Sequence, residues 1–182
     1  MLTNDEQRLI LEGCAKFNRR SQEQLYKAYY KTMVVICMRY TKNEEDAVEV
    51  LNNGFLKVFK NIQRYHPLQG SLYTWMRTIV IHTCLDFIKQ KTKYELKEEL
   101  TEAVSVYLPA DITGKLRADE LLAMVRSLPP ATATVFNLYA IEGYNHREIA
   151  QLLSISEGTS KWHLSQGRKS LQQKIKMQDE TI

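Results

Sequence analysis

Four interruptions divide an otherwise helix-favouring chain and dictate where its elements must end. They are His66-Pro67-Leu68-Gln69-Gly70, the stretch holding Pro109, Asp111 and Gly114, the pair Pro129-Pro130, and Gly143. Proline lacks the N–H that a helix interior needs and clashes with the preceding turn, while glycine loses the most backbone entropy when fixed. With only seven Gly and four Pro in 182 residues, turn residues are too scarce for many short strands. The expected fold class is all-α, as two small helical domains joined by a linker.

Between the interruptions the apolar residues recur at helical spacing. Leu25, Tyr29, Met33, Ile36, Cys37 and Tyr40 fall on one face of a first helix. Thr41 with Glu44, or Asn43 with Asp46, supplies an N-cap signal for the next, whose inward stripe reads Ala47, Val48, Leu51, Phe55, Val58, Phe59 and Ile62. Ser71 is placed to cap a third helix carrying Leu72, Trp75, Ile79, Thr83 and Phe87 inward. Trp75 reads as core because it falls on the Ile79 side. Residues 21–93 therefore form a bundle, and a short helix is possible at Glu95–Glu99. The expected divisions are 1–95, a linker at 96–115, and 116–182. In the last of these, Leu116, Leu121, Leu122, Val125 and Leu128 line one helix, and Val135, Phe136, Leu138, Tyr139 and Ile141 line the next.

Charge is distributed unevenly. Residues 1–95 hold 15 Lys/Arg against 10 Asp/Glu, residues 96–115 hold 2 against 4, and residues 116–182 hold 8 against 7. On a finer cut, residues 57–93 set seven basic side chains against Asp86 alone, and residues 143–176 set six against Glu148 and Glu157. Two basic surfaces separated by an acidic link fit two contacts with a polyanion. Cys14, Cys37 and Cys84 are odd in number and widely spaced, which suits core-filling thiols better than a disulfide framework or a metal site. His66, His82, His146 and His163 lack metal-ligand spacing, and no glycine-rich phosphate loop occurs. No enzyme, metal or cofactor is expected. No apolar run approaches the roughly 20 residues that span a bilayer, and the start, Asn4-Asp5-Glu6, is unlike a secretory signal. A cytoplasmic, nucleoid-associated protein without membrane insertion is expected.

The most specific motif follows Gly143. Asn145-His146-Arg147-Glu148 is an N-cap with an acidic residue three positions on, and Ile149, Ala150 and Leu153 line the short helix it starts. A tight turn, Ser154-Ile155-Ser156, contributes Ile155 inward, and Ser156 caps a second helix from about Glu157 to Lys174. Two helices so joined make a helix-turn-helix. On the second, Lys161, Trp162, Ser165 and Gln166 share a face suited to base edges and a thymine methyl, with Arg168 and Lys169 set for flanking phosphates. Its N-terminal N–H groups suit a phosphate too. In the first domain Thr78, His82, Asp86, Lys89 and Lys93 form a polar, net basic stripe able to hold a separated strand by its backbone.

These motifs resemble a known family. Glu142 through Ala150, Ser156 through Lys161, and Gly167-Arg168-Lys169 resemble region 4 of extracytoplasmic-function sigma factors, as does Leu128-Pro129-Pro130 upstream. Glu45-Asp46-Ala47, Asn52 through Phe59, and Gly70 through Arg77 look like region 2. The resemblance spans about residues 20–175. It implies that Asn52, Asn53, Phe55 and Lys57 bind the clamp helices of the largest subunit of RNA polymerase core. It further implies that Ser71, Arg77, Thr78, His82, Lys89 and Lys93 engage the −10 promoter element. Region 4 would read the −35 element through Lys161, Trp162, Ser165, Gln166, Arg168 and Lys169 and contact the polymerase flap, with an anti-sigma factor as a further partner. The linker would thread near the RNA path. Departures from the family pattern are Asn53 for an acidic residue, His82 for asparagine, Ser154 for a turn glycine, Gln166 for arginine and Gly167 for alanine. The rival reading is an operator-binding helix-turn-helix regulator, for which residues 21–93 would be a sensor or dimerisation bundle.

Overall fold

The computed structural model describes the backbone of residues 4–98 and 122–179, and the side chains of 5–91 and 122–177. The chain divides into two compact units, one within Met1–Ala103 and one within Val104–Ile182. Among the described residues every regular element is a helix.

The first unit comprises α1 (Asn4–Ala15), α2 (Arg19–Met38), α3 (Glu44–Asn61), single 3-10 turns at Ile62–Arg64 and Pro67–Gln69, and α4 (Leu72–Glu98). Local chemistry sets its starts. Asn18 Oδ1 accepts the Ser21 N–H at 3.0 Å to begin α2, and Asn43 Oδ1 accepts the Asp46 N–H at 2.7 Å to begin α3. Of the two cap candidates for α3, Asn43 therefore serves. The Thr41 hydroxyl turns back instead to the Cys37 carbonyl. Glu44, Glu45 and Asp46 crowd the first turn of α3, where the helix dipole favours negative charge.

Helices α2, α3 and α4 pack mutually, and α1 lies on α2. Leu25, Met33, Ile36, Cys37, Ala47, Leu51, Phe55, Val58 and Ile62 are buried as their spacing predicts, joined by Val50. Gly54 lets α3 approach α4 closely, because a Cβ there would lie 3.2 Å from Val80 Cγ2. The three cysteines are buried and form no disulfide with one another, and burial pushes the Cys14 thiol up to about 11. Among the described residues no helix is long and apolar enough to cross a membrane.

Three expectations need correction. The packed face of α4 is carried by Leu72, Met76, Val80, Thr83 and Cys84, whereas Trp75, Ile79 and Phe87 are only half-buried. Helix α1, with Ile10 and Cys14 buried, was not anticipated. Glu95 to Glu98 form no separate helix but continue α4 past the expected boundary at 95. The remainder of the expected linker, 99–115, lies outside the described residues, as do Leu116 and Leu121 of the helix expected to follow it.

The second unit comprises α5 (residues 122–126), α6 (Pro130–Phe136), a π turn at Asn137–Ile141, α7 (His146–Leu153) and α8 (Glu157–Asp179). Pro130 occupies the first turn of α6, where no N–H is required. The Glu142 N–H reaches the Asn137 carbonyl at 2.9 Å, one residue beyond an α-helical bond. This wider turn carries Ile141 outward into solvent, against its expected place on the packed face. Gly143, at φ +82°, then ends the segment. Val125, Leu128, Val135, Leu138, Ile149 and Leu164 form the core.

Candidate nucleic-acid interface

The second unit is built to present one face of α8. At the start of α7, Glu148 N–H donates to Asn145 Oδ1 at 3.0 Å and Asn145 N–H to Glu148 Oε2 at 2.8 Å, a reciprocal box. Ser156 Oγ accepts the Thr159 N–H at 2.9 Å and starts α8. Between them Ser154 takes the left-handed conformation (φ 57°, ψ 44°), and its N–H and that of Ile155 both close on the Ala150 carbonyl. Ile155 is half-buried in this turn.

That left-handed backbone costs an L-residue roughly 1–2 kcal/mol, offset in glycine by about 0.5–1 kcal/mol of extra chain entropy. Ser154→Gly should therefore stabilise this unit by about 0.5–1 kcal/mol, and Ser154→Val should destabilise it. Denaturant midpoints of the two variants against the parent check both signs.

The inner side of α8 is held at several points. The fully buried Ser160 hydroxyl lies 2.9 Å from His146 Nδ1 of α7. His163 Nδ1 lies 3.0 Å from Thr132 Oγ1 of α6. Leu164 is buried, and Gly167 sits where a Cβ would meet Thr132 Cγ2 at 3.2 Å, so α6 crosses α8 at the glycine. Tyr139, carried by the π turn, stacks on His146 with ring centroids 4.5 Å apart.

Opposite these anchors Lys161, Trp162, Ser165, Gln166 and Lys169 are exposed together. Trp162 is 57% exposed, a large fraction for an indole. Arg168 is exposed as well, but its guanidinium lies 5.7 Å from the Tyr139 ring centroid, so part of its attraction is spent within the fold. The structure thus brings the six expected residues onto exposed positions and separates Arg168 from the rest by that contact. His146, His163, Thr132 and Tyr139, which position α8, escaped sequence reasoning. Only the histidines carried a signal, and spacing could not say which hydroxyl each would meet.

In the first unit an open groove between α3 and α4 is lined by Lys57, Asn61, Arg64, Trp75, Ile79, His82 and Asp86. Tyr65 packs against Trp75 with centroids 5.6 Å apart and donates its hydroxyl hydrogen to the Gly70 carbonyl at 3.3 Å, which ties the 65–70 loop to α4. Ser71 is the N-cap, accepting the Thr74 N–H at 3.1 Å. Thr78, His82, Asp86 and Lys89 are exposed along α4, as the stripe requires. Arg77 does not share it. One residue before Thr78, it projects about 100° away and is half-buried. The side chain of Lys93 lies outside the described residues.

The residues expected to bind polymerase are divided. Asn52 and Asn53 are exposed, and Asn52 Oδ1 accepts the Tyr26 hydroxyl at 2.9 Å. Phe55 is 2% exposed and packs on Tyr26 and Phe59, so it cannot touch a partner directly. Lys57, five positions after Asn52, lies about 140° around α3 and pairs with Asp86 at 2.9 Å inside the groove. The outer ridge of α3 holds instead Glu45, Val48, Glu49, Asn52 and Leu56, the last 55% exposed. Leu56 follows directly on the buried Phe55 and stands one helical turn after Asn52 on the same ridge.

Comparison with known proteins identifies both units. Residues 25–94 match the family model for Sigma-70 region 2 and residues 118–171 that for Sigma-70, region 4, together well over half of the chain. The ECF RNA polymerase sigma factor SigE of Mycolicibacterium smegmatis is 27% identical over 159 residues, covering 83% of this chain. This chain spans 60% of that relative's length. The ECF sigma factor SigW of Bacillus subtilis is 25% identical over 160 residues, covering 81% of this chain and 85% of that protein. Among solved structures, the sigma factor RpoE from Bartonella quintana, in complex with the anti-sigma factor NepR, shares the fold. It has a TM-score of 0.59 at 15% identity, covering 85% of this chain and 96% of that one. With region 2 and region 4 matched in that order on one chain, this protein belongs to the sigma-70 family, as an extracytoplasmic-function sigma factor.

Proposed function

We propose that this chain binds RNA polymerase core and directs it to promoters, with region 2 capturing the −10 element and region 4 reading the −35 element. The observation that carries this reading is the construction of α8. Its inner side is fixed to α6 and α7 by Ser160, His163, Leu164 and Gly167, while Lys161, Trp162, Ser165 and Gln166 stand exposed on the opposite side. A recognition helix needs that rigid mounting to hold base contacts in register.

Region 2 adds the second contact. The α3–α4 groove and the stripe of Thr78, His82 and Lys89 offer an aromatic ring, polar groups and cations to a single strand. The outer ridge of α3 with Asn52, Asn53 and Leu56 is the polymerase surface. Tethering both units on one enzyme raises the effective concentration of each for its DNA element. Region 4 would also meet the polymerase flap. Bond-making belongs to the polymerase, and the protein works in the cytoplasm at the nucleoid. The solved complex of RpoE with NepR supports an anti-sigma factor as a partner here too.

Run-off transcription with core polymerase on promoter fragments tests the reading. Core alone should give no promoter-specific transcript, and core with this protein should. Lys161→Ala should lower −35-dependent initiation by roughly fivefold or more, about 1 kcal/mol, and leave core binding unchanged. An equal loss of core binding would remove α8 from the DNA.

A further inference from the structure

The most exposed aromatic ring of region 4 is not left to find its own orientation. Trp162 projects from α8 among Lys161, Ser165 and Gln166, and its ring meets that of His163 edge to face, with centroids 4.9 Å apart and planes at 72°. His163 is itself held. Its Nδ1 lies 3.0 Å from Thr132 Oγ1, and Thr132 is buried in α6 with its methyl group against Gly167. The chain of contact therefore runs from the core of α6, through a hydroxyl and an imidazole, to a ring on the outer side of α8.

An exposed tryptophan normally samples several rotamers, and fixing one costs entropy at binding. A ring already braced by a neighbour meets a flat apolar target without that loss. In the major groove the apolar target is the C5-methyl of thymine. We infer that Thr132 and His163 are positioning residues for promoter reading. They brace the Trp162 indole so that it discriminates a thymine-bearing base pair within the −35 element. The inference rests on the proposed role of α8 in reading DNA. It assigns specificity to two residues outside the contact face, Thr132 of α6 and His163 on the inner side of α8.

The hydroxyl–imidazole bond explains why a threonine serves here. The hydroxyl can donate to a neutral ring nitrogen or accept from an N–H, so the brace holds in either tautomer. Valine, with the same shape, keeps the packing against Gly167 but not the bond.

The test is binding of the holoenzyme to a library randomised across the −35 element, for the parent, Trp162→Ala, Thr132→Val, Thr132→Ser and His163→Ala. One read base pair confers a preference of roughly 5- to 100-fold. Trp162→Ala, Thr132→Val and His163→Ala should each flatten the preference at the same base pair to within about twofold of unity, with other positions unchanged. Thr132→Ser should restore it. A structural readout accompanies this. In a Trp75→Phe background used for spectroscopy alone, the near-ultraviolet dichroism of Trp162 should collapse in Thr132→Val while far-ultraviolet dichroism stays. Loss of preference in Trp162→Ala but not in Thr132→Val or His163→Ala would overturn the brace and leave the role of α8 standing. A parent holoenzyme with no −35 preference at all would overturn the underlying reading.

Discussion

Phe55→Ala should destabilise region 2 rather than trim a contact with polymerase. The ring is 2% exposed and lies against Tyr26, at 4.7 Å between centroids, and Phe59, at 5.8 Å. Truncating a buried phenylalanine costs about 3–5 kcal/mol, through lost transfer energy and the cavity left behind. A small domain has only about 5–15 kcal/mol in total. The melting temperature should fall by roughly 15–30 °C, since each kcal/mol moves a domain of this size by about 4–8 °C. Tyr26 would lose its support at the same time, and with it the hydrogen bond that orients Asn52. Leu56→Asp, one residue along, provides the contrast. That side chain is 55% exposed, so stability should change by no more than about 0.5 kcal/mol while polymerase affinity drops sharply. Thermal melts beside a polymerase pull-down separate the two cases. A Phe55→Ala protein that melted like the parent yet lost polymerase would return Phe55 to the interface.

The contrast between Phe55 and Leu56 also shows what a sequence conveys and what it does not. Caps are local, so they were legible. Asn145 with Glu148, Ser71 and Ser156 act on N–H groups three residues away, and each does what its position announces. The helix-turn-helix was legible for the same reason, since its turn and both cap residues lie within the twelve residues from Asn145 to Ser156. The phase of a long amphipathic helix is less secure. In α4 the side chains Leu72, Trp75, Ile79, Thr83 and Phe87 suggested one inward stripe, and Leu72 and Thr83 are buried, yet Met76, Val80 and Cys84 take the places expected for Trp75, Ile79 and Phe87. Both sets have helical periodicity and differ by one position along the helix. Only the partners decide between them, and partners are a tertiary fact. Helix α1 escaped because two buried residues, Ile10 and Cys14, make too short a stripe to count as a period.

Charge was the least legible feature, because sequence reports a cation but not its neighbour. Lys57 is one of the basic residues that suggested contact with a polyanion, and it is paired to Asp86. Lys91 reaches Asp46 at 2.7 Å, and Lys174 bonds to Ser127. Arg168 leans over Tyr139, whose ring is held by the His146 stack and so by α7. A cation engaged in this way gives up its internal contact before it neutralises a phosphate. The count of basic residues therefore overstates the number available to DNA, and the difference can be measured.

The salt dependence of promoter binding measures it. A protein placing six to ten cations on phosphates loses about 10³- to 10⁵-fold in affinity between 50 and 200 mM salt, because each contact releases a condensed counterion. Holoenzyme binding should show a steep fall of that kind, and individual substitutions should divide the slope among side chains. Lys161 and Lys169 are exposed on the outer side of α8, so Lys169→Ala should reduce the slope of log K against log salt by about 0.9, and the Lys161→Ala/Lys169→Ala pair by about twice that. Arg168→Ala should leave the slope near the parent value. Its cost should appear in stability, at about 0.5–1 kcal/mol for an exposed cation–π contact, with a melting temperature lower by a few degrees. Arg168 and Lys169 are adjacent and both basic, and nothing in the sequence tells them apart. A slope change of about one in Arg168→Ala, without loss of stability, would show that the guanidinium leaves Tyr139 for a phosphate and that the stack on His146 is no anchor for it.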